Sequence, residues 1–142
     1  MTFAGVSYLA IVLSAVAGWL LGAAWYTIFS KPWQQAVGLS QAKMQQAQKS
    51  PGFYVPFVVA FLALIVMAWV LAGLIAHLGP GQFTVKNGVV SGAFCWLGFV
   101  MTTMMVNNGF AGRDRRLLLI DGGHWLAVLL IMGAILGAFG GR

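Results

Sequence analysis

Four long stretches of the sequence carry almost no charge, and this feature restricts the fold more than any other. Residues 1–30 and 87–112 contain no charged side chain, residues 52–85 contain only His77, and residues 117–141 contain only Asp121 and His124. Each stretch is long enough to cross a bilayer, which takes about 20 residues. Because hydrocarbon cannot satisfy free backbone groups, each should be helical. The sequence therefore predicts an all-α, polytopic integral membrane protein built as a four-helix bundle.

The scarcity of charge excludes a water-soluble domain. Only 7% of the residues are charged, whereas soluble domains average about 25%. We predict one transmembrane domain over residues 1–142, with helices at residues 3–29, 53–77, 86–107 and 115–139. Residues 30–52 are predicted to form an interfacial loop, either as a short helix on the lipid headgroups or as a partly mobile segment.

A weak internal similarity suggests that the bundle consists of two related helical hairpins. Residues 12–14 and 19–20 resemble residues 89–91 and 96–97, and residues 66–71 resemble residues 131–136. In this alignment Asp121 and His124 correspond to Pro56 and Val59, so the polar pair is absent from the first hairpin.

The basic residues predict the orientation, because cytoplasmic loops of membrane proteins collect Lys and Arg. The first and third loops hold six of them: Lys31, Lys43, Lys49, Arg113, Arg115 and Arg116. The opposite side holds two, Lys86 and Arg142. This distribution predicts that both termini lie outside the cytoplasm. The net charge of +6 is then explained by contact with membrane lipids rather than with nucleic acid, which we exclude as a partner.

Small residues spaced four apart predict close helix packing, because such ridges let two backbones approach. They occur in three of the predicted helices: Ser14, Gly18 and Gly22; Gly88 and Gly92; Gly133 and Gly137. Since four short helices bury little surface, we also expect a homo-oligomer.

Asp121 and His124 are the strongest candidates for a functional site, because an ionisable residue inside a membrane span usually faces a pocket or the protein interior. Their i, i+3 spacing places them on one helix face. Candidates at the same depth on other helices are Thr103, Asn107, Asn108, Trp25 and Tyr26. The pocket rim would be formed by Lys31, Trp33, Arg113, Arg115 and Arg116. Together these residues predict a cytoplasm-facing ligand or proton site.

A structural alternative stays open at this point. Asp121 would cap a helix end or pair with Arg115 or Arg116, and His124 would donate to a nearby carbonyl. A metal site is not expected, because one Asp and one His fall short of the three or four ligands that zinc needs. Cys95 is the only cysteine, and no cofactor is predicted.

Several functional hypotheses fit these residues. The first is a non-enzymatic protein that binds or transports a small amphipathic molecule or lipid. The second is an intramembrane enzyme acting on a hydrophobic substrate, with His124 as general base and Asp121 orienting it. The others are an accessory subunit of a membrane complex and a proton-coupled exporter that uses Asp121.

Several motifs resemble those of the family called domain of unknown function 1761. They are residues 25–33 (WYTIFSKPW) with Gly38, residues 96–100 (WLGFV), Asn107-Asn108, Asp121-Gly122-Gly123-His124, and residues 131–137 (IMGAILG). The resemblance implies four helices and a location in the bacterial cytoplasmic membrane. It implies no established activity.

Overall fold

The structure, a computed structural model, describes residues 2–3 and 5–141. Four of its helices are long and apolar enough to cross a membrane, and we call them the first to fourth spans: Tyr8–Ile28, Val55–His77, Val85–Phe110 and Arg115–Phe139. Two short helices, Ser30–Val37 and Gln41–Gln48, lie between the first two spans. A pair of two-residue antiparallel strands, Thr2–Phe3 and Val6–Ser7, precedes the first span. The predicted all-α membrane bundle is confirmed.

The helix ends differ from the predicted ones mainly at the N-terminus. The first span begins at Tyr8 and not at residue 3, because the Ser7 side chain caps it by accepting from the Ala10 N–H at 3.4 Å. The chain before Ser7 turns at Gly5, whose φ of +78° favours glycine. Ala4, which the prediction placed in this helix, lies outside the described residues, as does Arg142. The fourth span has the predicted bounds.

The connection at residues 30–52 contains two helices where one was predicted. They are separated at Gly38, which ends the Ser30–Val37 helix with a left-handed φ of +76°. The Ser30–Val37 helix packs against the fourth span. This contact holds Trp33 close to the polar end of the bundle.

The fourth span is the centre of the bundle, since it contacts the other three spans. Its Val128, Met132 and Leu136 are completely buried. Small buried residues on the first and second spans allow close packing: Ala10, Ser14, Ala15, Gly18, Ala68 and Ala72. The first span contacts both the fourth and the second, and the third packs mainly against the fourth. The duplication inferred from sequence stays a prediction.

Glycines join the third and fourth spans, as the small-residue spacing predicted. A Cβ atom at Gly88 would collide with the Gly133 carbonyl, and one at Gly92 would collide with the Leu129 carbonyl. Farther along the contact, Gly137 packs against the backbone of Thr84. The two backbones therefore touch along an antiparallel contact, with no side chain between them.

The middle of the third span departs from α-helical geometry. Residues Trp96–Met101 are π-helical, and the wider turn changes the angular relation between the two halves of the span. The outer face of the span is strongly apolar, with Phe94, Phe99 and Phe110 exposed by 73%, 72% and 94%. Such a surface is compatible with lipid and not with water.

Candidate functional site

Asp121 lies on the fourth span and accepts a hydrogen bond from the first span. The Tyr26 hydroxyl donates to Asp121 Oδ1 at 2.7 Å. Among the described residues only Tyr26 donates to this carboxylate, so Oδ2 can accept a further hydrogen bond. The structural alternative, in which Asp121 caps a helix or pairs with Arg115 or Arg116, is wrong. Those roles are filled by a different aspartate.

Asp114 is the residue that caps the fourth span and pairs with an arginine. Its side chain accepts from the Arg116 N–H at 2.8 Å, and its Oδ2 lies 2.8 Å from Arg116 Nη2. The hydrogen bonds from Arg116 lower the pKa of Asp114 below its ordinary value. Because this is the only ion pair among the described residues, the carboxylate of Asp121 has no cationic partner there.

Two tryptophans donate hydrogen bonds to the backbone on either side of Asp121. Trp25 Nε1 donates to the Ile120 carbonyl at 3.0 Å, and Trp96 Nε1 donates to the Gly122 carbonyl at 2.8 Å. Trp25 comes from the first span and Trp96 from the π-helical segment of the third. These bonds fix the fourth span against both neighbours at the level of the carboxylate.

The glycines of the Asp121-Gly122-Gly123-His124 motif make room for these contacts. A Cβ atom at Gly123 would lie 3.0 Å from the Trp25 ring, and one at Gly122 would lie 3.1 Å from Met101 Sδ. Both distances are shorter than ordinary van der Waals contacts. A larger residue at either position would require the Trp25 ring or the Met101 side chain to shift by a few tenths of an ångström.

His124 is buried between the first and fourth spans and makes no hydrogen bond to a described residue. It is 7% exposed, and its Nδ1 is buried without a partner in the described part of the chain. Aromatic rings surround it, with centroids 4.9 Å away for Tyr26 and 4.7 Å for Trp125. Its Nε2 would lie 3.0 Å from a Cβ atom at Gly22. The expectation that His124 donates to a nearby carbonyl is therefore wrong, because the imidazole packs among rings and against a glycine.

A cavity of about 400 Å³ opens beside Asp121 at the end of the bundle that carries the first and third loops. It is lined by Tyr26, Trp33, Met104, Asn107, Asn108, Arg113, Asp121 and Trp125. Six of these residues were predicted from the sequence. Met104 and Trp125 were missed, although each stands three or four residues from a predicted polar residue on the same helix.

Other predicted site residues lie outside the cavity lining. Thr103 is exposed on the third span, and Lys31, Arg115 and Arg116 are exposed near the loops. Trp25 and His124 pack behind Asp121 and not in the cavity wall. Arg113 is the cation in the lining, and Asp121 is the anion. Within residues 2–3 and 5–141, no three His, Cys, Asp or Glu residues come together to hold a metal ion.

The arrangement suits a ligand with both polar and apolar parts. Asp121 offers an acceptor, Arg113 offers donors and a positive charge, and two asparagines offer both kinds of group. The indole rings of Trp33 and Trp125 provide apolar surface.

Comparison with known proteins identifies a family but no characterised relative. No curated protein and no solved structure matches the chain significantly. A family model described as "protein of unknown function (DUF1761)" matches residues 9–137. The matched range contains nearly all of the four spans and every residue that lines the cavity. The chain therefore belongs to the DUF1761 family.

Proposed function

We propose that this protein is a non-enzymatic membrane protein that binds a small amphipathic molecule in the cavity beside Asp121. The observation that carries the proposal is the cavity itself. At one end of the bundle it gathers seven polar and aromatic residues from distant parts of the sequence, from Tyr26 to Trp125. Its volume of about 400 Å³ lies in the range of sites for small ligands.

The incomplete compensation of the Asp121 charge supports ligand binding over a purely structural role. A carboxylate in a membrane span is costly and is normally compensated by a charge partner or by water. Asp121 has one hydrogen bond from Tyr26 and no ion pair among the described residues. A ligand that donates to Oδ2 would supply the missing compensation.

The geometry gives less support to an enzyme that uses His124 and Asp121 together. A general base and its orienting residue should lie within hydrogen-bonding reach of each other. No hydrogen bond joins His124 to Asp121, and His124 does not line the cavity. Substrate held in the cavity would meet the carboxylate and not the imidazole.

The location and orientation of the bundle complete the proposal. We propose a bacterial cytoplasmic membrane, with the cavity end facing the cytoplasm and both termini outside. The six basic residues of the first and third loops support this orientation. Labelling of intact cells with a membrane-impermeant maleimide tests it, in a Cys95→Ser background. Pro80→Cys, in the second loop, should be labelled, and Gln48→Cys, in the first, should not; the opposite pattern would reverse the orientation.

We propose a homo-oligomer as the form in the membrane. The small surface that four short helices bury within one chain supports it. Crosslinking in native membranes followed by mass measurement tests the assembly. A single monomeric band at all crosslinker concentrations would contradict it.

A binding experiment tests the proposed function directly. The purified protein is incubated with a panel of amines, acids and neutral amphipaths, and bound molecules are counted by native mass spectrometry. Asn108→Trp should abolish binding, because the indole would fill the cavity that Asn108 lines. Lys86→Gln, at the opposite end of the third span, is the matched control and should bind like the unmodified protein. If filling the cavity leaves every bound species unchanged, the proposal fails.

A further inference from the structure

We propose that the ligand of this cavity is a phosphate ester that carries a primary ammonium group, presented as the head group of a membrane phospholipid. The inference rests on the proposed function and names the class of molecule that the same site selects. Three features of the cavity support it: the pair of opposite charges, the acceptors around Asp121, and its position at the loop ends of the spans.

The cavity holds one negative and one positive side chain that do not pair with each other. Asp121 and Arg113 both line it, yet the ion pair among the described residues joins Arg116 and Asp114 instead. A ligand with a single charge would satisfy one side chain and leave the other without a counter-charge. A zwitterionic ligand provides a counter-charge for both side chains at once. Arginine binds phosphate through two parallel N–H donors, so the phosphate belongs at Arg113.

The surroundings of Asp121 favour a primary ammonium at the other end of the ligand. Oδ2 of Asp121 is available as an acceptor, and Asn107 and Asn108 add amide oxygens in the same wall. An ammonium with N–H groups can use these acceptors, whereas a quaternary ammonium cannot. The rings of Trp33 and Tyr26, in edge-to-face contact at 6.0 Å, also favour a cation nearby.

The position of the cavity favours a lipid over a free phosphate ester. The cavity lies where the first and third spans end, at Ile28 and Phe110, and where the fourth span begins, at Arg115. Lipid head groups lie at this depth, at the boundary of the hydrocarbon region. A head group bound in the cavity can therefore leave its acyl chains in the bilayer, along the exposed apolar surface of the spans.

Lipids with matched acyl chains and different head groups test the proposal. Phosphatidylethanolamine, phosphatidylcholine and phosphatidylglycerol are titrated onto the detergent-purified protein, and bound lipid is measured by native mass spectrometry. We expect phosphatidylethanolamine to bind about tenfold more tightly than the other two, as one hydrogen-bonded charge contact would give. This comparison needs no variant, so it holds even if a substitution impairs folding.

Two variants then assign the two ends of the head group. Asp121→Asn should remove the preference for ethanolamine over choline, because the ammonium loses its counter-charge. Arg113→Gln should weaken all three lipids, because each carries a phosphate. Arg115→Gln is the matched control, since Arg115 lies two residues away, is exposed and does not line the cavity. Equal folding of the variants is verified by thermal denaturation in detergent.

The possible outcomes separate this inference from the proposed function. Equal binding of the three lipids, unchanged in Asp121→Asn, would overturn the head-group assignment and leave ligand binding intact. Displacement of the lipid by free phosphoethanolamine at similar concentration would overturn the lipid source and keep the zwitterionic chemistry. Retention of no lipid and no other amphipath would overturn both proposals.

Discussion

Alanine at position 88 directly tests the contact between the third and fourth spans. The Gly88 backbone touches the Gly133 backbone, and an added Cβ atom would collide with the Gly133 carbonyl oxygen. A backbone oxygen cannot rotate away as the end of a flexible side chain can. The two spans must therefore move apart, and they lose van der Waals contact along the part of the interface that Gly92 and Gly137 also form.

The expected change in the free energy of unfolding of Gly88→Ala is the difference between two opposing effects. Overpacking of a tight contact costs up to about 3 kcal/mol. Replacing glycine by alanine inside a helix returns about 1 kcal/mol through higher helix propensity. The expected net loss in the free energy of unfolding is therefore about 2 kcal/mol. Gly73→Ala is the matched control, because a Cβ atom there would meet nothing within 4 Å, and it should stabilise the protein by about 0.5–1 kcal/mol.

Reversible unfolding in mixed micelles measures both variants. The detergent-purified proteins are titrated with SDS while helix content is followed by circular dichroism. The SDS concentration at the unfolding midpoint should fall for Gly88→Ala and rise for Gly73→Ala. If Gly88→Ala is as stable as Gly73→Ala, the backbone contact between the two spans does not exist in the protein and the packing described above is wrong.

Three further substitutions test the site and the end of the fourth span. Trp96→Phe, which removes the donor to the Gly122 carbonyl, should lower the free energy of unfolding by about 1 kcal/mol, whereas Trp69→Phe on the exposed face of the second span should change it little. Tyr26→Phe should destabilise by a similar amount, about 1 kcal/mol, through loss of the hydrogen bond to the site carboxylate; an unchanged unfolding midpoint would refute that bond. Asp114→Asn should lower stability at neutral pH, and the difference should disappear on acidification. The pKa of Asp114 is depressed by Arg116. Its contribution to the free energy of unfolding is therefore fully present above the ordinary aspartate pKa of about 3.9 and is lost as the pH falls through the lower pKa of the folded state. A difference in stability that persists in acid would contradict this.

The fold could be predicted from sequence because the bilayer permits few alternatives. A charge-free run of 20 or more residues has to be helical in hydrocarbon, and loop residues such as Pro80 and Gly112 then mark the ends. The π-helical segment Trp96–Met101 could not be predicted in the same way. Its residues are apolar or small on every side, so an extra residue in the turn leaves no irregularity in the hydrophobic pattern. The early turn at Gly5 was missed because strands of two residues have too little sequence to be recognised.

The depth of the site residues was also predictable, but their direction around the helix axis was not. Counting residues from the loops placed Tyr26 and Asn107 at the level of Asp121, and the cavity brings them together. The rotation of a helix about its own axis is normally predicted from the boundary between its polar and apolar faces. Here nearly every face is apolar, so the sequence did not show that His124 turns toward Gly22 while Trp125 faces the cavity.

The glycines beside Asp121 explain how a packing interface and a ligand site occupy the same helix. Gly123 admits the Trp25 ring, whose N–H holds the Ile120 carbonyl, and this contact sets the rotation of the fourth span that turns Asp121 toward the cavity. The site thus depends on helix packing, whereas Arg113 lies at the third loop and outside the spans. A substitution at Gly123 should therefore change stability and ligand binding together, because both follow from the position of the Trp25 ring. A substitution at Arg113 should change ligand binding alone, so comparing the two separates the packing role of the fourth span from its binding role.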